Sequence, residues 1–217
     1  RGTRWILGSV GEKSVADFPK TAKEAFIFFQ AEGNRLFGSG GVNNLMSGFT
    51  EGDGGSLEIL PAAATLMMGP NMELETEFFR RLASVSAYAV HGDELTLSDA
   101  GGSAALRFTA LSPARVAGTY RGVLPCANCE GIETEVVLTA GGSYTRTLRY
   151  RGKPGETIQD EGTFSLNHLD NALVLDNVDK AKEPAFYGIA PGSLIQLDLE
   201  GKPITGNLAG LYELKRQ

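Results

Sequence analysis

Glycine punctuation is the feature that most constrains this fold. The chain has 217 residues, of which 28 are glycine. Clusters such as Asp53-Gly54-Gly55, His91-Gly92-Asp93, Asp99-Ala100-Gly101-Gly102 and Ala140-Gly141-Gly142 cut the apolar segments into short runs. Such clusters supply the backbone conformations that tight turns need. They predict many short strands rather than long helices.

In the first half, residues 5–10 read as a strand. Residues 25–30 and 35–38 read as a hairpin about the turn at 31–34. Gly38-Ser39-Gly40-Gly41 is too glycine-rich for helix or regular strand, and Ser39 reads as part of a tight turn, not as a nucleophile. Residues 56–60 predict another strand. One helix follows, capped by Asn71, with Glu73, Glu75 and Glu77 early and Arg80 and Arg81 late, an order that suits the helix dipole. Its apolar face is Met72, Phe78, Phe79, Leu82 and Val85. Glu75 falls within that face, so it is expected at its edge or held by one hydrogen-bond partner. Met46, Met67, Met68 and Met72 read as core gap-fillers in preference to a thioether site. Strands resume at 86–90, 94–97 and 104–108. The stretch from Leu111, with Ser112-Pro113, reads as a linker.

The second half is almost all strand: 118–123, 133–139, 143–150, 162–166, 172–175, 185–189, 194–197 and 210–214. Turns at roughly every eight to twelve residues point to a small antiparallel barrel. Tyr144, Arg146, Leu148 and Tyr150 alternate with Thr145, Thr147 and Arg149, a pattern suited to a barrel wall. The fold class expected is mainly β with some α. Residues 1–110 form a β-sheet domain with one helix, 111–116 a linker, and 117–217 the barrel.

Charge excludes some functions. Net charge is −6. Residues 1–110 carry 9 Lys and Arg against 13 Asp and Glu, and residues 111–217 carry 11 against 13. Neither half has a basic patch, which argues against nucleic acid. No apolar stretch approaches the roughly 18 residues of a membrane span. Arg1 reads as the start of a mature or trimmed fragment, so a signal peptide or lipid anchor upstream stays an open expectation.

Cys126 and Cys129 are the only cysteines. A Cys-x-x-Cys pair can close a disulfide in an oxidising compartment, grip a soft ion such as Cu(I), or exchange disulfides. Zinc normally needs four ligands, and no second pair exists. Glu130-Gly131 and a strand follow the motif, where a redox enzyme would start a helix.

Two resemblances join these readings. The first half resembles the META domain. The features are Trp5-Ile6-Leu7, the run from Phe37 to Asn44, Thr65-Leu66-Met67-Met68, the helix with Glu75 and Phe78, and Leu106-Arg107-Phe108. Many members carry a cysteine before the Asn of the glycine loop and another after the Thr-x-Met segment. Those places here are Val42 and Gly69. The second half resembles the NlpE N-terminal domain family through the run Gly118 to Thr134, which contains Leu124-Pro125-Cys126-Ala127-Asn128-Cys129, through Gly162-Thr163-Phe164, and through Leu197-Asp198. That resemblance implies a lipocalin-like barrel in a Gram-negative envelope.

The resulting expectation is a non-catalytic periplasmic protein, anchored to the outer membrane as a lipoprotein, that binds or senses. Copper homeostasis or envelope stress is the implied context. Copper on Cys126 and Cys129 is the only cofactor considered, and envelope proteins or a small apolar ligand are the partners. The alternatives are a thiol-disulfide redox protein using the same two cysteines and a purely structural envelope lipoprotein.

Overall fold

The protein, seen in a computed structural model, is described at residues 1–19, 23–69, 72–153, 155 and 157–217. The chain divides into two compact units, Arg1–Leu111 and Ser112–Gln217.

The first unit contains β1 (Arg4–Val10), β2 (Lys13–Ser14), β3 (Phe26–Phe29), β4 (Arg35–Ser39), β5 (Asn44–Glu51), β6 (Leu57–Ile59), β7 (Ala63–Ala64), α1 (Met72–Leu82), β8 (Val85–His91), β9 (Glu94–Asp99) and β10 (Ala104–Ala110). The main sheet runs β6-β5-β4-β3-β1-β10-β9-β8, with β2 on β1 and β7 on β5. It curls until its outer strands meet, where Ser56 bridges Ala87. The inward side chains are apolar at every second position. Trp5 and Leu7, Ile27 and Phe29, Leu95 and Leu97, and Leu106 and Phe108 meet in one core. Helix α1 packs into it with Leu74, Phe78 and Leu82. Phe78 is fully buried and stands edge-on to Phe108, ring centroids 6.2 Å apart. Burying such a ring stabilises by about 1.5–3 kcal/mol.

The structure differs from the sequence reading at several points in this unit. Strand β4 continues through Gly38 and Ser39. Glycine is needed there because a Cβ at Gly38 would stand 2.7 Å from the Phe26 carbonyl oxygen on the paired strand. Strand β5 was not expected, since Ser47, Gly48 and two flanking polar residues dilute its apolar signal. The helix face includes Leu74, while Val85 belongs to β8. Asn71, the expected cap, lies outside the described residues. The gap-filler reading of the methionines fails: Met46, Met67 and Met68 are exposed.

The second unit begins with one helical turn, α2 (Pro113–Val116), inside the stretch 111–116 expected as a linker. Leu111 and Val116 are both buried, and the Leu111 amide donates to the Arg4 carbonyl. Then come β11 (Gly118–Leu124), β12 (Ile132–Leu138), β13 (Ser143–Tyr150), β14 (Thr157–Asn167), β15 (Ala172–Leu175), β16 (Phe186–Ala190), β17 (Ser193–Gln196) and β18 (Glu213–Arg216). They form a closed antiparallel barrel in simple sequential order. Closure comes from β18 against β11, Tyr120 opposite Arg216. A closed barrel leaves no free edge strand to recruit another chain. The strand expected at 210–214 starts later, at Glu213, because residues 209–211 coil into a single 3₁₀ turn. The fold class is mainly β with some α, as the glycine punctuation implies.

Candidate functional site

The two cysteines sit on the connection between β11 and β12. Leu124 pairs with Ile132 and closes the base of that loop. Cys126 and Cys129 are joined by a disulfide, with Cα atoms 5.4 Å apart. Both are half-buried, while Ala127 and Asn128 between them are exposed. The loop leans on the turn after β13: the Arg151 amide donates to the Gly131 carbonyl at 2.9 Å. Near the sulfurs stand two oxygens. Asn128 Oδ1 is 3.6 Å from Cys126 Sγ, and the Gly131 carbonyl oxygen is 3.4 Å from Cys129 Sγ. An oxidised sulfur has no proton to donate, so these are plain contacts in the disulfide. Each sulfur thus stands beside an oxygen acceptor. A nucleophilic cysteine needs the opposite, such as a helix N-terminus or an adjacent cation. Residues 127–130 form bends and lead straight into β12.

The ring closed by this disulfide is small, and chain-entropy arguments give small rings little leverage. Replacing Cys126→Ser and Cys129→Ser together should therefore cost about 2 kcal/mol or less of barrel stability, measured by urea denaturation. A loss near the roughly 5 kcal/mol upper end would mean the loop organises the whole barrel.

Inside the barrel lies a polar cluster that the sequence reading did not single out. Arg146 faces inward from β13, beside Tyr144 on the same face, and only 3% of its side chain is exposed. Its Nε donates to Asp160 Oδ2 at 2.9 Å, its Nη1 to the Pro184 carbonyl at 2.9 Å, and its Nη2 to Glu183 Oε2 at 2.7 Å. Burial alone would lower the Arg146 pKa, but Tyr187, Asp160 and Glu183 outweigh it and raise it. Tyr144 and Tyr187 are both raised, chiefly by burial, so their hydroxyls stay protonated. Among the described residues, neither hydroxyl meets a hydrogen-bond partner in bonding geometry, nor does Asp160 Oδ1. The cluster ties β13 and β14 to the segment before β16. The i, i+2 spacing of Tyr144 and Arg146 was the available signal.

In the first unit the glycine loop wraps a buried carboxylate. Glu75 on α1 is 2% exposed. It accepts from the Val42 amide at 3.2 Å, the Asn43 amide at 2.7 Å and Asn43 Nδ2 at 2.6 Å. Asn43 also donates from Nδ2 to the Met67 carbonyl, while its Oδ1 accepts from the Met67 amide and the Thr65 hydroxyl. The expectation of an edge-exposed or singly held Glu75 is thus corrected to a buried hub with three donors. Gly40 must be glycine, because a Cβ there would lie 2.3 Å from Glu75 Cγ. Ser39 serves the turn: its hydroxyl donates to the Asn43 carbonyl and accepts from the Gly41 amide. Val42 and Gly69 are neighbours, since a Cβ on Gly69 would stand 2.8 Å from Val42 Cγ1.

Among the described residues, no group of three or more His, Cys, Asp or Glu gathers as a metal site. Among the same residues, no helix is long and apolar enough to cross a membrane.

These observations define a class: a curled sheet plugged by one helix, followed by a closed eight-stranded barrel with a disulfide at one rim. The chain belongs to the META domain family, which matches residues 1–112, and the NlpE N-terminal domain follows at residues 120–207. The chain is 38% identical over 102 residues to lipoprotein NlpE of Escherichia coli strain K12; the match covers 43% of this chain and 42% of that protein. It thus spans less than half of that relative. Among solved structures, a Shewanella oneidensis protein described as a lipoprotein is 36% identical, covering 46% of this chain and 88% of its own, with a TM-score of 0.42. The crystal structure of the Cpx pathway activator NlpE from Escherichia coli is 35% identical, covering 42% and 46%, with a TM-score of 0.35.

Proposed function

We propose that this chain is a non-catalytic binding and sensing protein of a bacterial envelope, held as a lipoprotein in its full-length form. The barrel is its recognition module, and the first unit is a scaffold or interaction module. The division near residues 111–116 is part of this reading. The observation that carries it is the setting of Cys126 and Cys129. They lie on a β-hairpin connection beside two oxygen acceptors, with no helix start to activate a thiolate. That setting suits a pair that is oxidised, reduced or occupied by an ion better than one that turns over. The likeness to lipoprotein NlpE supports the envelope setting. The name of the related Cpx pathway activator suggests envelope proteins as partners.

Copper is the metal this reading considers. Reduction of the disulfide by a thiol reductant takes two electrons and two protons and frees two soft donors. Cys126 and Cys129 would then hold Cu(I) as a two-sulfur site, a donor set that suits a soft ion. The test is Cu(I) titration of the reduced full chain against the Cys126→Ser/Cys129→Ser variant, in competition with a chromogenic chelator. Stoichiometric binding by the wild type, weakened about a hundredfold or more in the variant, is expected. Equal, weak binding by both proteins would end the copper reading.

A further inference from the structure

The outer wall of the barrel carries a groove of about 540 Å³ on β11, β12 and β13. That volume is within the roughly 300–1,000 Å³ of typical ligand sites. Its walls recur at every second residue: Arg121 and Val123, Glu133 and Glu135, Thr147 and Arg149. Alternate residues of a strand share a face, so these side chains point away from the barrel core. Two of the arginines already have partners. Arg121 pairs with Glu135, and Arg151 Nε meets Glu133 Oε1 at 2.9 Å. Both groove carboxylates are thereby engaged. Arg149 is exposed, stands opposite Glu133 in the strand register, and its side chain makes no hydrogen bond or ion pair among the described residues. The groove therefore holds one uncompensated guanidinium in a chain whose net charge is −6. Val123, 42% exposed, adds an apolar contact.

We propose that this groove is an acceptor for an extended, carboxylate-bearing segment of a partner protein, with Arg149 as the anchoring residue. The inference deepens the reading of the chain as a binding protein and rests on it. A guanidinium presents a planar fork that matches a carboxylate in two parallel hydrogen bonds. Val123, Glu133 and Arg149 stand in one row across the three strands, so an extended segment crossing the strands sets the side chains of one of its faces on both Arg149 and Val123. An acidic side chain meets Arg149 while an apolar one on the same face of the segment covers Val123. The uncompensated charge of Arg149 disfavours basic segments there.

The test uses the full chain and a fluorescein-labelled octapeptide, Ser-Glu-Ser-Val-Ser-Glu-Ser-Val, which when extended shows Glu and Val on one face, read by fluorescence anisotropy. Saturable binding is expected. Arg149→Glu should weaken it about tenfold or more, since it places like charges together, and Arg149→Lys should weaken it less. The control Lys202→Glu, on the connection after β17, should leave it unchanged. A matched Lys-Val peptide should not bind. Equal affinity for wild type and Arg149→Glu overturns the proposal. So does binding of inorganic phosphate or of phosphatidylglycerol vesicles in place of the peptide. A protein that binds Cu(I) but no peptide refutes the groove alone, whereas one that binds neither refutes the wider reading as well.

Discussion

Glu75→Ala is expected to destabilise the first unit by about 3–5 kcal/mol, the scale for removing one partner from a buried, charged network. The substitution leaves the Val42 amide, the Asn43 amide and one Asn43 Nδ2 proton without their acceptor. The two Asn43 donors cannot turn to water without moving the loop, because Asn43 is itself buried. Trp5 is the chain's one tryptophan and is buried in the core that α1 completes. Its fluorescence in a urea titration therefore reports this unit. The Trp5 transition should move to markedly lower urea. Glu75→Gln should lie between wild type and alanine, since its amide oxygen can still accept while its nitrogen opposes Asn43 Nδ2. Asn43→Ala should add little on the Glu75→Ala background, as groups in one network are not additive. An unchanged Trp5 transition would show that the glycine loop is held by something other than Glu75.

The second large effect lies in the barrel. Arg146→Met keeps most of the side-chain volume but removes the charge that Asp160 and Glu183 share. A fully buried broken pair costs about 3–5 kcal/mol. Asp160 and Glu183 are 24% and 44% exposed, so both can regain water. The expected loss is accordingly nearer 2–3 kcal/mol. Tyrosine near-ultraviolet circular dichroism should show it, while the Trp5 transition stays in place. The segment before β16 should also become more open to proteolysis, because Pro184 and Glu183 lose their anchor. A variant as stable as wild type, with no new cleavage there, would mean the cluster contributes no net stability.

Local signals in the sequence were enough to read most of this architecture. Turns such as Ala140-Gly141-Gly142 and the alternation of Tyr144 and Arg146 needed no distant partner to be recognised. Errors arose where distant residues decide the outcome. Strand β5 is dilute in apolar residues and exists because β4, β6 and β7 pair with it. Glu75 looked like an edge residue because its donors come from a loop 32 and 33 residues away in sequence. Gly40 gave a hint, since a glycine in that loop allows a close approach. Arg146 was visible only as an alternating position, since its partners Asp160 and Glu183 lie 14 and 37 residues on. The cysteine pair is the reverse case: its spacing was plain, and only the surrounding oxygens and strands indicate which chemistry the loop favours.

The claim of binding without catalysis meets its most direct test in thiol-disulfide turnover. The full chain is incubated with a disulfide-bonded peptide substrate in glutathione buffer, beside its Cys126→Ser variant. The expected rate with wild type matches both the variant and buffer alone. Turnover that Cys126→Ser abolishes would contradict the account and make the rim disulfide an active site.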